Sequence, residues 1–178
     1  MNLIEVVNRT RVAVDEDAAA ILVAAVLAAE GVHGAELAVE FVGERRIRAL
    51  NREHRGRDEV TDVLSFPLED APDPSAGTDA GAAAPAAEAG VAGVAGGAAA
   101  AADGPPRLLG DIVICARQAL RQARADDLPP ALELAVLLAH GTLHLLGYDH
   151  EVDAGQMALR QAEVLEQVEW EGLVVAPR

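Results

Sequence analysis

The stretch that most constrains this chain is ALELAVLLAHGTLHLL, residues 131–146, which is apolar on nearly every face of a helix. Such a helix has no solvent side, so the rest of the chain must be built around it. Pro129 and Pro130 stand where prolines are tolerated, at a helix start. Gly147 supplies the stop, because it can take the left-handed conformation that other residues resist. Two imidazoles, His140 and His144, are carried by this central helix.

The flanking sequence alternates between strand and helix signals. NLIEVVN (residues 2–8) is rich in β-formers, and a helix follows from Asp15 as N-cap to Gly31 just past its end. ELAVEFV (36–42) alternates apolar and polar, as a half-buried strand does. ERRIRALNREHR (44–55) reads as helix, with Ile47, Leu50 and His54 on the side facing the core. TDVLSF (61–66) reads as a strand stopped by Pro67. LLGDIVICA (108–116) is a further strand leading into the helix ARQALRQARA, and a last amphipathic helix spans 153–169. The expected fold is α/β (α+β): a small mixed sheet of about four strands packed with about five helices.

Residues 71–106 are foreign to this pattern. Of these 36 residues, 16 are Ala, 7 Gly and 5 Pro, too little bulk to offset the entropy of ordering the segment. It is expected to be a disordered insertion in one domain spanning 1–178. Its GVAGVAGG stretch follows no strand and so carries no phosphate-loop meaning. The run 18–29 is too short to span a bilayer, and acidic residues 15–17 precede it, unlike a signal peptide. One cysteine, Cys115, permits no internal disulfide. A soluble, cytoplasmic protein is expected, with no membrane partner.

HGTLHLLGYDH (140–150) has the spacing His-x-x-x-His-x-x-Gly-x-x-His. On a helix, His140 and His144 share a face, Gly147 lets the chain turn back, and His150 becomes a third ligand for Zn²⁺. Three protein ligands leave a fourth position for water, whose pKa can fall to about 7. Asp149 is a candidate to orient a ligand imidazole. Gly141 stands where a zinc peptidase carries its glutamate. Peptide hydrolysis is badly handicapped without that carboxylate, because an amine leaves poorly unless protonated. A phosphodiester needs instead charge neutralisation and an activated oxygen nucleophile.

All fourteen basic residues are arginine, and six of them fall within 45–57 in a chain of net charge −15. Arg45, Arg48, Arg52 and Arg55 form one helical stripe, followed by Arg57. Taken alone the stripe reads as a solvated face paired with Glu44, Glu53 and Asp58. Concentrated in so acidic a chain, it also reads as an anion site that grips phosphate.

HGTLHLLGYDH, LNREHRGRDEVTDVLSFP (50–67) and LGDIVIC (109–115) together resemble the YbeY family of zinc-dependent endoribonucleases, and the likeness covers most of the chain outside the insertion. The resemblance implies one Zn²⁺ on His140, His144 and His150, with Arg55 the important arginine of the cleft. It also implies single-strand RNA cleavage in maturation of the 16S rRNA 3′ end and in ribosome quality control. Implied partners are ribosomal RNA, the small subunit and its proteins, and an Era-type GTPase. Thr61, Asp62 and Ser65 are further candidates to line the cleft, and Arg45, Arg48, Arg52 and Arg57 to bind RNA. The proton acceptor stays open between the zinc-held water itself, Asp149 and a substrate group. A non-catalytic assembly factor with structural zinc, or a zinc peptidase, are the other readings.

Overall fold

The computed structural model describes residues 1–68, 106–149, 153–173 and 176–177. The insertion expected over 71–106 therefore lies outside the described residues, except for Pro106, and so does His150.

Four strands form one mixed sheet. β1 (Leu3–Asn8), β3 (Ala35–Val42) and β5 (Arg107–Cys115) run parallel, and β4 (Val63–Pro67) closes the far edge antiparallel, in the order β1-β3-β5-β4. The alternation expected of β3 is present: Ala35, Leu37, Val39 and Phe41 are buried and the residues between them are not. A two-residue ladder between β2 (Val12–Ala13) and β6 (Ala176–Pro177) adds a second sheet, too short to announce itself by periodicity.

Pro67 does not stop β4 but belongs to it, paired with Gly110. An edge strand tolerates the missing N–H, which would cost a ladder bond in a central one. Gly110 makes that approach possible: it sits at φ +129°, and a Cβ there would fall 2.1 Å from the Phe66 carbonyl oxygen. β4 begins at Val63, two residues later than its β-formers suggest, although the Cys115 amide still donates to the Asp62 carbonyl at 2.7 Å.

Among the described residues, four of the five helices pack on this sheet and the fifth packs on the fourth. α1 (Glu16–Ala29) opens on Asp15, whose carboxylate accepts the Ala18 amide at 2.9 Å, as an N-cap should. α1, α3 (Ala116–Ala125) and α4 (Pro130–Leu145) share the main core with the inner face of the sheet, through residues such as Leu22, Val26, Leu120, Leu138 and Ile112. α4 is central and buried, as its sequence demands; Leu134, Leu138, Leu143 and Leu145 are fully enclosed. Thr142, also buried, returns its hydroxyl to the Leu138 carbonyl at 2.7 Å. Gly147, at φ +93°, turns the chain out of α4.

α2 (Glu44–Arg55) lies on the opposite face, where Ile47 and Leu50 join Val42, Leu64, Val113 and Cys115 in a smaller core. His54 does not join them. It is exposed, meeting the Phe66 ring edge-on with centroids 4.8 Å apart, and the buried position belongs to Asn51. Asn51 lies one turn after Ile47, whereas His54 stands beside Phe66 of the edge strand β4. The Asn51 amide donates to the Glu59 carbonyl at 3.0 Å, tying down the arginine-bearing turn that follows.

α5 (Gln156–Leu165) is shorter than the helix expected over 153–169. Asp153 lies before the helix, whose N-cap is Gly155, and accepts the Gly155 and Met157 amides at 2.7 and 2.8 Å. Among the described residues, no helix is long and apolar enough to cross a membrane.

Candidate active site

A cavity of about 760 Å³ runs along the edge strand β4, between one face of α4 and the C-terminal end of α2. Glu133, Val136, Leu137, His140 and His144 line it from α4, spaced so that they share one side of the helix. Thr61, Asp62 and Ser65 line it from the turn and strand, and Arg55 from α2. Six of the candidates read from the sequence thus meet in one cleft.

His140 and His144 point their Nε2 atoms at each other, 3.1 Å apart. Two nitrogens bonded at 2.0–2.1 Å to one tetrahedral ion would be about 3.3 Å apart, so the pair has the donor chemistry and spacing of two ligands to such an ion. Among the described residues no third His, Cys, Asp or Glu completes a cluster. On its other nitrogen, His140 Nδ1 lies 3.0 Å from Oε1 of Gln161, on α5. Asp149 is exposed in the turn beyond α4, where its carbonyl accepts the Asp153 amide at 3.0 Å.

Gly141 faces away from the cleft and into the sheet. A Cβ at this position would come within 2.7 Å of Ile112 Cγ2 and 3.3 Å of Ser65 Oγ. The absent glutamate therefore has a packing cause: β5 and β4 leave no room for any side chain there.

The two carboxyls of the cleft are shifted in opposite directions. Burial by itself would raise the Asp62 carboxyl, but hydrogen bonds from Gln122 (2.9 Å), the Val63 amide and Thr61 outweigh it and hold the group below the ordinary carboxylate range. Glu133, buried in the first turn of α4, is pushed up by burial and further by the charges of Asp62 and Asp126. Glu133 and Gln161 are the two residues of the site that sequence reading passed over. Glu133 looks like an ordinary helix-start acid. Gln161 shows a signal only in register, one turn from Met157 and three residues before Val164, both buried.

The arginines divide. Arg48 grips Asp58 with Nε and Nη2, each at 2.9 Å, and Arg52 Nη1 lies 3.6 Å from the same carboxylate. Asp58 is held below its ordinary value by the Arg48 hydrogen bond. The solvated, salt-bridged face is thus what these two residues form. Glu44 instead pairs with Arg121 of α3. Arg45 and Arg57 are exposed outside the cleft, while Arg55 lines it and engages no carboxylate among the described residues.

Behind the cleft, Glu30 at the end of α1 accepts Tyr148 Oη at 2.9 Å and Arg160 Nε at 2.5 Å. Arg160 Nη2 also donates to the Ala29 carbonyl at 2.8 Å. The Tyr148 hydroxyl is pushed up to about 12 by burial and by Glu30. The network fastens α1, the turn after α4 and α5 to one another.

A family model described as Endoribonuclease YbeY matches residues 5–169. Relatives from Anaeromyxobacter sp. (strain Fw109-5) and Anaeromyxobacter dehalogenans, both described as Endoribonuclease YbeY, are each 44% identical over 155 residues, covering 86% of this chain and 63% of theirs. A Macrococcus caseolyticus relative of the same description is 41% identical over 133 residues, 74% of this chain and 70% of the relative. The chain therefore spans a little under two thirds of the Anaeromyxobacter relatives' length. The solution structure of a Thermotoga maritima protein superposes with a TM-score of 0.56 at 23% identity, covering 93% of this chain and 88% of that one. That likeness is one of fold.

Proposed function

This chain belongs to the YbeY endoribonuclease family, and from that membership we propose that it hydrolyses phosphodiester bonds of single-stranded RNA with the help of a zinc ion. The observation that carries the reading is the meeting of the paired Nε2 atoms, Arg55 and two differently poised carboxyls in one cleft.

In this reading His140, His144 and His150 hold the metal. A zinc ion so held supplies Lewis-acid polarisation of a phosphoryl oxygen and of the attacking water. Arg55 brings a planar fork that matches a phosphate and neutralises the charge that grows on it. Glu133, whose proton affinity is raised by burial and which lines the same cleft, is the carboxyl assigned to take the proton from the attacking water, whereas Asp62, held low, keeps Gln122 and Thr61 in place. Two carboxyls pushed apart in this way divide the work of acid–base chemistry. Gly141 adds weight against peptide chemistry, since its position has no space for a catalytic carboxylate.

The substrate we propose is ribosomal RNA near the 3′ end of the 16S molecule, as part of small-subunit maturation and ribosome quality control in the cytoplasm. A chain of net charge −15 repels phosphate at long range. Docking through the small subunit, its proteins or an Era-type GTPase would bring the RNA to Arg55, with Arg45 and Arg57 as outlying contacts.

The test is cleavage of a single-stranded RNA carrying the 16S 3′ end by the zinc-loaded full chain, with zinc stoichiometry measured alongside. Wild type should cut. His144→Ala should stay folded while losing both zinc and cleavage, and Arg55→Ala should lose cleavage with zinc retained. A wild-type chain that leaves the RNA intact with small subunits present is a non-catalytic assembly factor, and the enzymatic reading fails.

A further inference from the structure

We propose that Gln161 is a positioning residue that sets the tautomer of His140 and so prepares its Nε2 for the metal. The inference rests on the zinc reading above, but its first consequence does not require the metal to be present.

The contact is short and directional. Gln161 Oε1 stands 3.0 Å from His140 Nδ1, and an amide oxygen can only accept. In this arrangement Nδ1 carries the hydrogen and Nε2 turns its lone pair toward His144 Nε2, 3.1 Å away. The opposite tautomer would put a hydrogen on Nε2, where a metal bond has to form. An outer partner on the second ring nitrogen fixes both the tautomer and the orientation of a ligand imidazole, and its removal typically costs about 10–100-fold in metal affinity.

The helix that carries Gln161 is held firmly enough for this task. Met157 and Val164 of α5 are buried in the main core and turn the face bearing Gln161 toward α4. Asp153 pins the start of α5 through two backbone amides. Arg160, the residue before Gln161, is anchored to Glu30 and to the Ala29 carbonyl. Rotation of α5 about its axis would break all three sets of contacts, so Gln161 is delivered to Nδ1 by the packing of the whole helix.

Two measurements on the full chain test this. In the metal-free protein, held well above the ordinary imidazole pKa of about 6.5, long-range ¹⁵N–¹H NMR reads which ring nitrogen of His140 carries the hydrogen. Wild type should show Nδ1–H, and Gln161→Leu should shift the ring toward Nε2–H. Zinc titration against a competing chelator should then find Gln161→Leu about 10–100-fold weaker and Gln161→Glu at least as tight as wild type, because a carboxylate accepts the same hydrogen. His140 found as Nε2–H in wild type overturns the proposal, as does unchanged zinc affinity in a folded Gln161→Leu. A wild-type chain that takes up no zinc overturns the metal reading instead, and the NMR result still decides what Gln161 does to His140.

Discussion

Gly141 and Ile112 are so closely packed that a Cβ on the glycine would fall 2.7 Å from Ile112 Cγ2. Gly141→Ala should therefore destabilise the fold by about 1–3 kcal/mol, the usual cost of overpacking a tight core. Gly141→Glu adds a buried carboxylate without a partner and should abolish soluble expression. Thermal unfolding of the alanine variant checks the first, and a soluble, stable glutamate variant would show that the helix can move off β5.

Arg55 and Arg48 lie on the same helix and should behave differently. Arg48 is spent on Asp58 at a fully exposed surface, where ion pairs contribute little; Arg48→Ala should leave the melting temperature and RNA cleavage nearly as they were. Arg55→Ala should lower kcat about 10²–10³-fold, the typical loss of one donor aimed at developing charge. Arg55→Lys should restore only part of it, because an ammonium lacks the two-pronged fork. Equal losses in the two alanine variants would remove the distinction drawn between them.

The sequence made the frame legible where local chemistry decides it. Asp15 caps α1, Pro129 and Pro130 open α4, Gly147 closes it, and the alternation of 36–42 is buried on one face as read. His140, His144, Arg55, Thr61, Asp62 and Ser65, distant in sequence, line one cavity. What was not legible depends on a partner far away in the chain. His54 is exposed beside Phe66, while Asn51 is buried where its amide reaches the Glu59 carbonyl, eight residues on. Gly141 is read from sequence as a missing base, yet its cause is Ile112, 29 positions earlier. Gln161 meets His140 only because α5 folds back on α4. A period of 3.6 residues reports which face is buried, never what stands opposite it.

Tyr148 and Glu30 join the turn after α4 to the end of α1. Removing the hydroxyl in Tyr148→Phe leaves the ring's packing intact and deletes one partly buried hydrogen bond to a carboxylate. The expected loss is about 1–2 kcal/mol, somewhat below that of a fully enclosed charged bond. The same variant should speed amide hydrogen exchange in the turn at 146–149 relative to the core of α4. Unaltered exchange there would mean that Arg160 alone secures the turn.

Glu133 and Asp62 set opposite pH dependences, and the signs follow from their shifts. Asp62 is held below its unfolded value, so its stabilisation is full above the ordinary carboxylate pKa of about 3.9 and is lost as pH falls through the folded value. Glu133 is raised: the fold favours its protonated form, and that contribution is full below about 4.3 and is lost as pH rises through the folded value. Glu133→Gln, which cannot ionise, should therefore melt higher than wild type at neutral pH, with the difference vanishing in acid. Asp62→Asn should melt lower at neutral pH and converge with wild type in acid. RNA cleavage by Glu133→Gln should fall and lose the wild-type dependence on the acidic limb of the pH profile. A glutamine variant that melts with wild type at every pH would show that burial does not raise Glu133, and would leave the proton without its acceptor on α4.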